Sequence, residues 1–154
     1  MKAVIQRVSS ASVKVDGKIV GECKKGFLVL FGAGEGDTEE DVEILAKKTV
    51  NLRIFRDEND KMNLSLLDVG GEVLAISQFT LLADVKKGNR PSFINAMEPV
   101  EAERLYKLYC QKLRDLGITK VDEGIFGADM SVALTNEGPV TILFDTEIWR
   151  KNGN

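Results

Sequence analysis

The apolar run 72–82 is interrupted by a cluster of polar residues, Ser77, Gln78 and Thr80. Burying a polar group without a partner costs about 1–3 kcal/mol, so polar side chains kept together in such a run commonly serve a purpose. If the strand is broken here, the main-chain N–H groups of Phe79 and Thr80 lose their ladder partners and become free to stabilise an oxyanion. The alternative is an edge strand on which Ser77 and Thr80 face solvent.

A second candidate is the segment 136–139, Asn-Glu-Gly-Pro, which leads into an apolar strand over 140–144. Proline cannot donate to a sheet ladder, so Pro139 is expected at the first residue of a strand, at an edge or at a bulge. Gly138 has no side chain, which allows its carbonyl group to approach a ligand closely, and an X-Pro bond is the peptide bond that most readily becomes cis. The alternative is an ordinary turn that enters a strand.

The chain contains no histidine. This excludes Ser-His-Asp and Cys-His nucleophile systems, which need an imidazole base, and it excludes histidine-based zinc sites. Any catalysis must come from carboxylates, lysine, tyrosine, hydroxyl groups, main-chain amides or the substrate itself. We expect neither a metal nor another cofactor.

The composition is that of a globular protein of 154 residues, with 44% hydrophobic and 29% charged residues, and it predicts one domain over 1–154. A protein with a net charge of −3 is poorly suited to binding along a long nucleic-acid duplex. A local basic patch could still contact the end of a nucleic acid. The basic residues Lys86, Lys87 and Arg90 form one concentrated loop that could hold phosphate groups. The alternative is a solvated loop.

The cysteines and the hydropathy pattern predict a cytosolic protein. Cys23 and Cys110 lie far apart and form no Cys-x-x-Cys pair, which favours two reduced thiols over a disulfide. The first eight residues lack the apolar core of a signal peptide, and no run approaches the roughly 20 apolar residues of a membrane span.

The predicted elements alternate between strands and helices, which indicates a mixed α/β fold. A strand over 3–15 and a return strand over 18–23 are joined by an Asp16-Gly17 turn, and a fully buried strand follows Gly26. The glycine-rich loop 32–37 lacks the Gly-Lys-Ser/Thr ending of a phosphate loop, so we interpret it as a turn in which Asp37 caps a helix with Glu40 as its partner. A second helix opens at 98–101 and ends at Gly117, and the last strands lie near 121–122, 130–135 and 140–146. Two helices on one face of a sheet leave the other face for a second sheet or a second subunit to cover.

Together these motifs resemble one family. Ser77-Gln78-Phe79-Thr80-Leu81, followed at this distance by Asn136-Glu137-Gly138-Pro139-Val140-Thr141, is similar to the D-aminoacyl-tRNA deacylases, as are the opening residues 1–8 and the Asn-Arg-Pro-Ser-Phe loop at 89–93. The similarity extends over essentially the whole chain. It implies a three-layer α/β/β fold with mixed sheets and two helices on one side, and a homodimer with active sites at the subunit interface.

The resemblance also implies roles for individual residues. Gln78, Phe79 and Thr80 would surround the scissile ester beside Ser77, while Phe126 and Met130 would line the pocket near the terminal adenosine of the tRNA. The Gly138-Pro139 bond would be cis and would reach into the partner's pocket, where its carbonyl groups would hold the α-amino group and exclude an L side chain. Arg7 would orient that segment. The expected substrates are D-aminoacyl-tRNA and glycyl-tRNA mischarged on tRNA(Ala).

Three questions stay open at this level. The attack on the ester could be assisted by the 2′-hydroxyl of the terminal adenosine, or Thr80 could be a covalent nucleophile. A small-molecule or nucleic-acid binding module could share the fold without turnover. An editing domain selective for L-alanyl-tRNA could use a similar scaffold.

Overall fold

The computed structural model describes residues 1–150 and has the mixed α/β architecture that the sequence predicts. The strands are β1 (Lys2–Val15), β2 (Lys18–Cys23), β3 (Gly26–Gly32), β4 (Phe55–Arg56), β5 (Met62–Leu64), β6 (Glu72–Ser77), β7 (Val121–Glu123) and β8 (Ser131–Asp145). The α-helices are α1 (Glu39–Asn51), α2 (Leu66–Val69) and α3 (Pro99–Asp115), and the 3-10 helices are Phe79–Leu82 and Thr146–Trp149.

Strand β1 organises the main sheet. Its first half pairs antiparallel with β3, its second half pairs antiparallel with β2 through the Asp16-Gly17 hairpin, and β8 runs antiparallel along its opposite edge. Asp16 and Gly17 have φ of 52° and 78°. A two-residue hairpin turn needs positive φ at both central residues so that its twist matches that of the flanking strands. Beyond β3 the sheet continues with β6 and β7, both parallel to their neighbours. The result is a mixed sheet in which β3 and β6 end at the same edge.

One face of this sheet packs against α1 and α3. Helical spacing predicts an apolar stripe on α1, which is buried at every position: Val42, Leu45, Ala46, Thr49 and Val50. This stripe shares a core with the α3 side chains. From β3, Phe27, Val29 and Phe31 enter this core, and the Phe31 ring stacks on Tyr109 of α3 with centroids 5.2 Å apart. Period-two alternation therefore directs every second residue of β3 towards the helices.

The residues between them enter a second core on the other face. Leu28 of β3 and Leu74 and Ile76 of β6 pack there against Val8, Ala11 and Val13 from β1. Because β3 and β6 are buried on both faces, their sequences are continuous apolar runs, as the sequence predicts for β3.

The predicted cap of the first helix was wrong, because a distant group binds the residue expected to form it. Helix α1 is capped by Thr38, with Asp41 as its reciprocal partner, and not by Asp37 and Glu40. Asp37 instead accepts the Gly34 N–H over 2.6 Å and pairs with the Met1 ammonium group over 2.8 Å.

Of the two alternatives for the run 72–82, the structure has the broken strand, because β6 ends at Ser77. The strands predicted near 130–135 and 140–146 are one strand, β8. The segment Leu52-Arg53-Ile54-Phe55 predicts a short strand, whereas β4 covers only Phe55–Arg56, and the sequence does not predict α2. Among residues 1–150, no helix is both long and apolar enough to cross a bilayer.

Candidate active site

A pocket of about 390 Å³ opens where the parallel strands β3 and β6 end. Six of the residues predicted for the site line it: Ser77, Gln78, Phe79, Thr80, Phe126 and Met130. The remaining lining residues are Phe31, Gly32, Ala33, Ala96, Met97, Pro99, Ala102, Gly127 and Ala128. Residues far apart in sequence thus meet at one edge of the sheet, the usual place for ligands in open α/β sheets.

The polar cluster marks the end of β6. The Gln78 N–H donates to the Phe31 carbonyl group over 2.7 Å, and the chain then turns into the 3-10 helix Phe79–Leu82. The first N–H groups of a helix have no partner within it. Within residues 1–150, neither the Phe79 nor the Thr80 N–H donates a hydrogen bond, and the Gln78 side chain does not cap the helix. Two main-chain donors are therefore available beside the pocket for a developing negative charge.

The lining side chains carry no group that ionises near neutral pH. They are apolar, or they bear the hydroxyl groups of Ser77 and Thr80 and the amide of Gln78. The Thr80 hydroxyl has no carboxylate, amine or thiol beside it among the lining residues, so the pocket offers no general base to activate it. The arrangement can position a reacting group and stabilise an oxyanion, and it leaves proton transfer to water or to the substrate.

Helix α3 supports the end of β6, beside the pocket, through Tyr106. This buried residue donates its hydroxyl to the Ala75 carbonyl group over 2.6 Å, two residues before Ser77. Burial raises the pKa of the Tyr106 hydroxyl above its ordinary value, so the donor keeps its proton under alkaline as well as neutral conditions. The ring lies against Phe31 and Phe126, with centroids 5.9 and 6.3 Å away. A buried aromatic residue therefore supports both the strand end and one wall.

Gly138 and Pro139 do not line this pocket; they are exposed on β8. The pairing of β1 with β8 passes from Gln6 opposite Thr141 to Val8 opposite Asn136, so Arg7 alone faces the residues 137–140. The segment therefore bulges out of an edge strand, one of the positions that the sequence allows for Pro139. The Gly138-Pro139 peptide bond is cis, the geometry that the family resemblance implies.

Arg7 lies under this bulge and is 4% exposed. Its Nε donates to the Glu137 carbonyl group over 3.0 Å, and its Nη1 donates to the Ile54 carbonyl group over 2.6 Å. A planar guanidinium can hold two acceptors in fixed directions at once. Arg7 thus anchors the start of the bulge to the body of the fold.

The basic loop lies beside the pocket. It is closed by main-chain hydrogen bonds of 2.7 and 2.9 Å between Asp84 and Ser92, and Lys86, Lys87 and Arg90 are all exposed. Across the residues that the structure describes, none of these three cations forms a salt bridge. Just after the loop, the Phe93 ring packs edge-on against Phe79 with centroids 5.0 Å apart.

The wall of the pocket formed by small and apolar residues was not predicted from the sequence. Ala96 and Met97 precede α3, and Gly127 and Ala128 follow Phe126. None of them carries a chemical group that marks a site, and only their proximity to Phe126 and to the Pro99 helix start could have suggested them. No group of three or more His, Cys, Asp or Glu side chains within 1–150 is arranged to hold a metal ion.

Comparison with known proteins gives a consistent match. Residues 4–145 match the family model described as D-Tyr-tRNA(Tyr) deacylase. A D-aminoacyl-tRNA deacylase of Roseiflexus castenholzii is 53% identical over 154 residues, covering 100% of this chain and 98% of the relative. The protein of the same name from Halothermothrix orenii is 56% identical over 146 residues, covering 95% of this chain and 97% of the relative.

Two solved structures share the fold. The structure called "c-Myc DNA Unwinding Element Binding Protein" has a TM-score of 0.89 and 41% sequence identity, covering 94% of this chain and 98% of that chain. The structure of a probable eukaryotic D-amino acid tRNA deacylase has a TM-score of 0.79 over 93% of this chain and 97% of that chain. At 19% identity, the second match supports the fold alone.

Proposed function

The chain belongs to the D-Tyr-tRNA(Tyr) deacylase family, and from this we propose that it is an enzyme that hydrolyses the ester bond of D-aminoacyl-tRNA. The products are the free D-amino acid and the tRNA, so the reaction removes a residue of the wrong chirality before translation uses it. We propose that the whole chain, 1–154, works as one domain in the cytoplasm, without a metal or another cofactor.

The observation that carries the chemistry is the pair of unpartnered N–H groups at Phe79 and Thr80. Water adds to the ester carbonyl carbon, and the oxyanion that forms accepts hydrogen bonds from these two groups. The bond to the ribose 3′-oxygen then breaks, and that oxygen takes a proton. Because the lining side chains include no base, we infer that the 2′-hydroxyl of the terminal adenosine assists the attacking water.

Selection of the substrate is assigned to the Gly138-Pro139 segment of a second copy of the chain. The segment is exposed and lies outside its own pocket, which supports our proposal that it enters the pocket of a partner in a two-fold homodimer. Its carbonyl groups accept hydrogen bonds from the substrate's ammonium group and thereby orient the Cα atom. An L side chain then meets the wall, whereas a D side chain points outwards and glycine has no side chain to exclude.

This assembly completes the proposed architecture. We propose a three-layer α/β/β arrangement made of helices α1 and α3, the sheet on which they pack, and the strands around the second core; the two apolar cores on opposite faces support it. The exposed cations Lys86, Lys87 and Arg90 take phosphate groups of the acceptor 3′ end, which would enter past Phe93 towards Phe126 and Met130.

A deacylation assay with four charged tRNAs tests the proposal. We expect release of amino acid from D-tyrosyl-tRNA and from glycyl-tRNA(Ala), and no release from L-tyrosyl-tRNA or L-alanyl-tRNA above the spontaneous rate. Hydrolysis of L-alanyl-tRNA alone would instead identify the chain as an editing domain selective for L-alanyl-tRNA. Absence of turnover with every substrate would overturn the enzymatic proposal.

A second candidate is nucleic-acid binding without turnover. It is favoured by the match to the structure called a DNA unwinding element binding protein, at 41% identity. The same assay separates the two functions, because a binding module would retain tRNA and leave the ester intact.

A further inference from the structure

The bulge over 137–140 is held at both ends by side chains. Arg7 anchors its start through the Glu137 carbonyl group, over 3.0 Å. Its end has no such anchor from β1, because the regular pairing resumes only at Thr141 opposite Gln6. Whatever fixes the end of the bulge also fixes the direction of the Pro139 carbonyl group, which shares a peptide plane with the Val140 N–H.

That role falls to Asn136. Its Oδ1 accepts the Val140 N–H over 2.8 Å, and its Nδ2 donates to the Thr141 hydroxyl over 3.0 Å. The half-buried Asn136 side chain therefore links the residue before the bulge to its last residue, Val140, and to Thr141, which follows it. An amide suits this position because it offers an acceptor and a donor side by side.

We propose that Asn136 is a positioning residue that aims the Pro139 carbonyl group at the substrate's α-ammonium group. This inference rests on the proposed function and deepens it. Asn136 touches the Val140 N–H, so it controls the plane of the 139–140 peptide without contacting the substrate. Arg7 acts in the same way on the carbonyl group of Glu137, and together they hold the Gly138-Pro139 main chain between two fixed points.

Two variants separate the contacts that Asn136 makes. Asn136→Leu keeps the approximate shape of the side chain and removes both hydrogen bonds. Asn136→Asp keeps the acceptor for the Val140 N–H, and the Thr141 hydroxyl can turn to donate to the second oxygen. Thr141→Val removes only the hydrogen bond between Asn136 and the Thr141 hydroxyl. If Asn136→Leu does not fold, Thr141→Val is measured in its place. Asn51→Leu is the matched control, because Asn51 also donates to a neighbouring group, the Lys47 carbonyl group, at the far end of α1.

The readout is the division of the effect between KM and kcat for D-tyrosyl-tRNA, measured well below the unfolding temperature. The ammonium group is held in both the ground state and the transition state, so losing its alignment raises KM and changes kcat little. A residue that only stabilises the fold would lower the amount of active enzyme, which lowers the apparent kcat at unchanged KM.

We expect Asn136→Leu to raise KM about tenfold, Thr141→Val to raise it less, and Asn136→Asp and Asn51→Leu to stay near the wild type. A lower kcat at unchanged KM in Asn136→Leu, or no recovery in Asn136→Asp, would overturn the positioning role while leaving the proposed function intact. If the wild type itself releases nothing from D-tyrosyl-tRNA, the proposed function and this inference both fail.

Discussion

Arg7 lies buried beneath Glu137 and donates to its main-chain oxygen, across a bulge in which a single residue of β1 faces four of β8. The guanidinium binds a second carbonyl group, that of Ile54, and so ties the bulge to the segment between α1 and β4. The shape of the exposed segment that we propose for substrate selection therefore depends on a side chain that is almost completely buried.

Replacing Arg7 should affect stability and activity together. Arg7→Leu removes two charge-assisted hydrogen bonds and leaves the buried Ile54 carbonyl group without this donor, so we expect a loss of about 2–4 kcal/mol in the free energy of unfolding. Hydrolysis of D-tyrosyl-tRNA should fall even where the protein remains folded. The control is Arg56→Ala: Arg56 is 58% exposed and pairs with Asp60 over 3.5 Å, a contact that contributes about 0–1 kcal/mol. Urea unfolding and initial rates measure both effects; equal losses in the two variants would contradict the prediction.

Gly138 should tolerate no side chain. Its φ is 134°, and a Cβ atom would lie 2.8 Å from Val140 Cγ2 and 3.1 Å from Arg7 Nη2. Gly138→Ala should therefore displace the bulge and reduce hydrolysis of D-tyrosyl-tRNA or admit L-tyrosyl-tRNA. Gly36→Ala is the control, because φ is 87° there and no atom lies within 4 Å of the added carbon. It should strain the chain by about 1–3 kcal/mol and leave turnover unchanged. Unchanged rates and stereopreference in Gly138→Ala would place the selecting surface elsewhere.

The sequence revealed the polar part of the pocket because the chemistry of that part is local. Ser77, Gln78 and Thr80 are visible as polar residues in an apolar run, and the strand end that frees two amides lies within the same few residues. What it could not reveal depends on distant partners. Asp37 is a residue type that commonly caps helices, but its carboxylate pairs with the buried Met1 ammonium group. Thr38 caps the helix instead. The wall at Ala96 and Met97 has no chemical signature, and only the fold brings it to the pocket.

The two cysteines should be unreactive in the native protein. Burial raises the pKa of the Cys23 thiol to about 11 and that of the Cys110 thiol to about 12, from an ordinary value of 9.0. Because alkylation requires the thiolate, we expect almost no modification by iodoacetamide at pH 8 until the protein is unfolded, when both thiols should react. Mass spectrometry after timed exposure measures this. Rapid modification of the folded protein at either position would contradict the burial.

The same shifts predict how stability responds to alkaline pH. The folded state binds these protons more tightly than the unfolded state, so the thiols contribute stability that is fully present below pH 9. The contribution is lost as the pH rises from about 9 through about 11 for Cys23. Cys23→Ala should therefore show a shallower alkaline decline of the urea midpoint than the wild type, and an equally steep decline would assign the effect to other groups.

The exposed edge of β8 should form part of a homodimer interface. Within residues 1–150, strand β8 pairs only with β1, and its Leu143 side chain is 74% exposed, which is unfavourable for an isolated edge strand. Sedimentation equilibrium at micromolar concentration should give twice the mass of one chain, and Leu143→Glu should shift the protein towards a single chain. Leu67→Glu on α2, where Leu67 is 38% exposed, is the control and should leave the mass unchanged. A mass equal to one chain for the wild type would contradict the dimer and the trans action of Gly138-Pro139.

Thr80 should position water and the ester without attacking. Its hydroxyl lines the pocket without an ionisable neighbour among the lining side chains, and an unactivated threonine is a weak nucleophile. Thr80→Ala keeps the main-chain N–H that is proposed to hold the oxyanion, so its kcat should fall by about tenfold or less, and Thr80→Ser should resemble the wild type. If Thr80 formed a covalent intermediate, Thr80→Ala should lose several orders of magnitude, as removal of a nucleophile does. A D-tyrosyl-tRNA ending in 2′-deoxyadenosine supplies the complementary measurement, because a reaction assisted by the 2′-hydroxyl should slow far more on that substrate than it does in Thr80→Ala. Trapping an aminoacyl group on Thr80, or finding that the 2′-deoxy substrate reacts at the normal rate, would contradict a mechanism in which the tRNA assists its own deacylation.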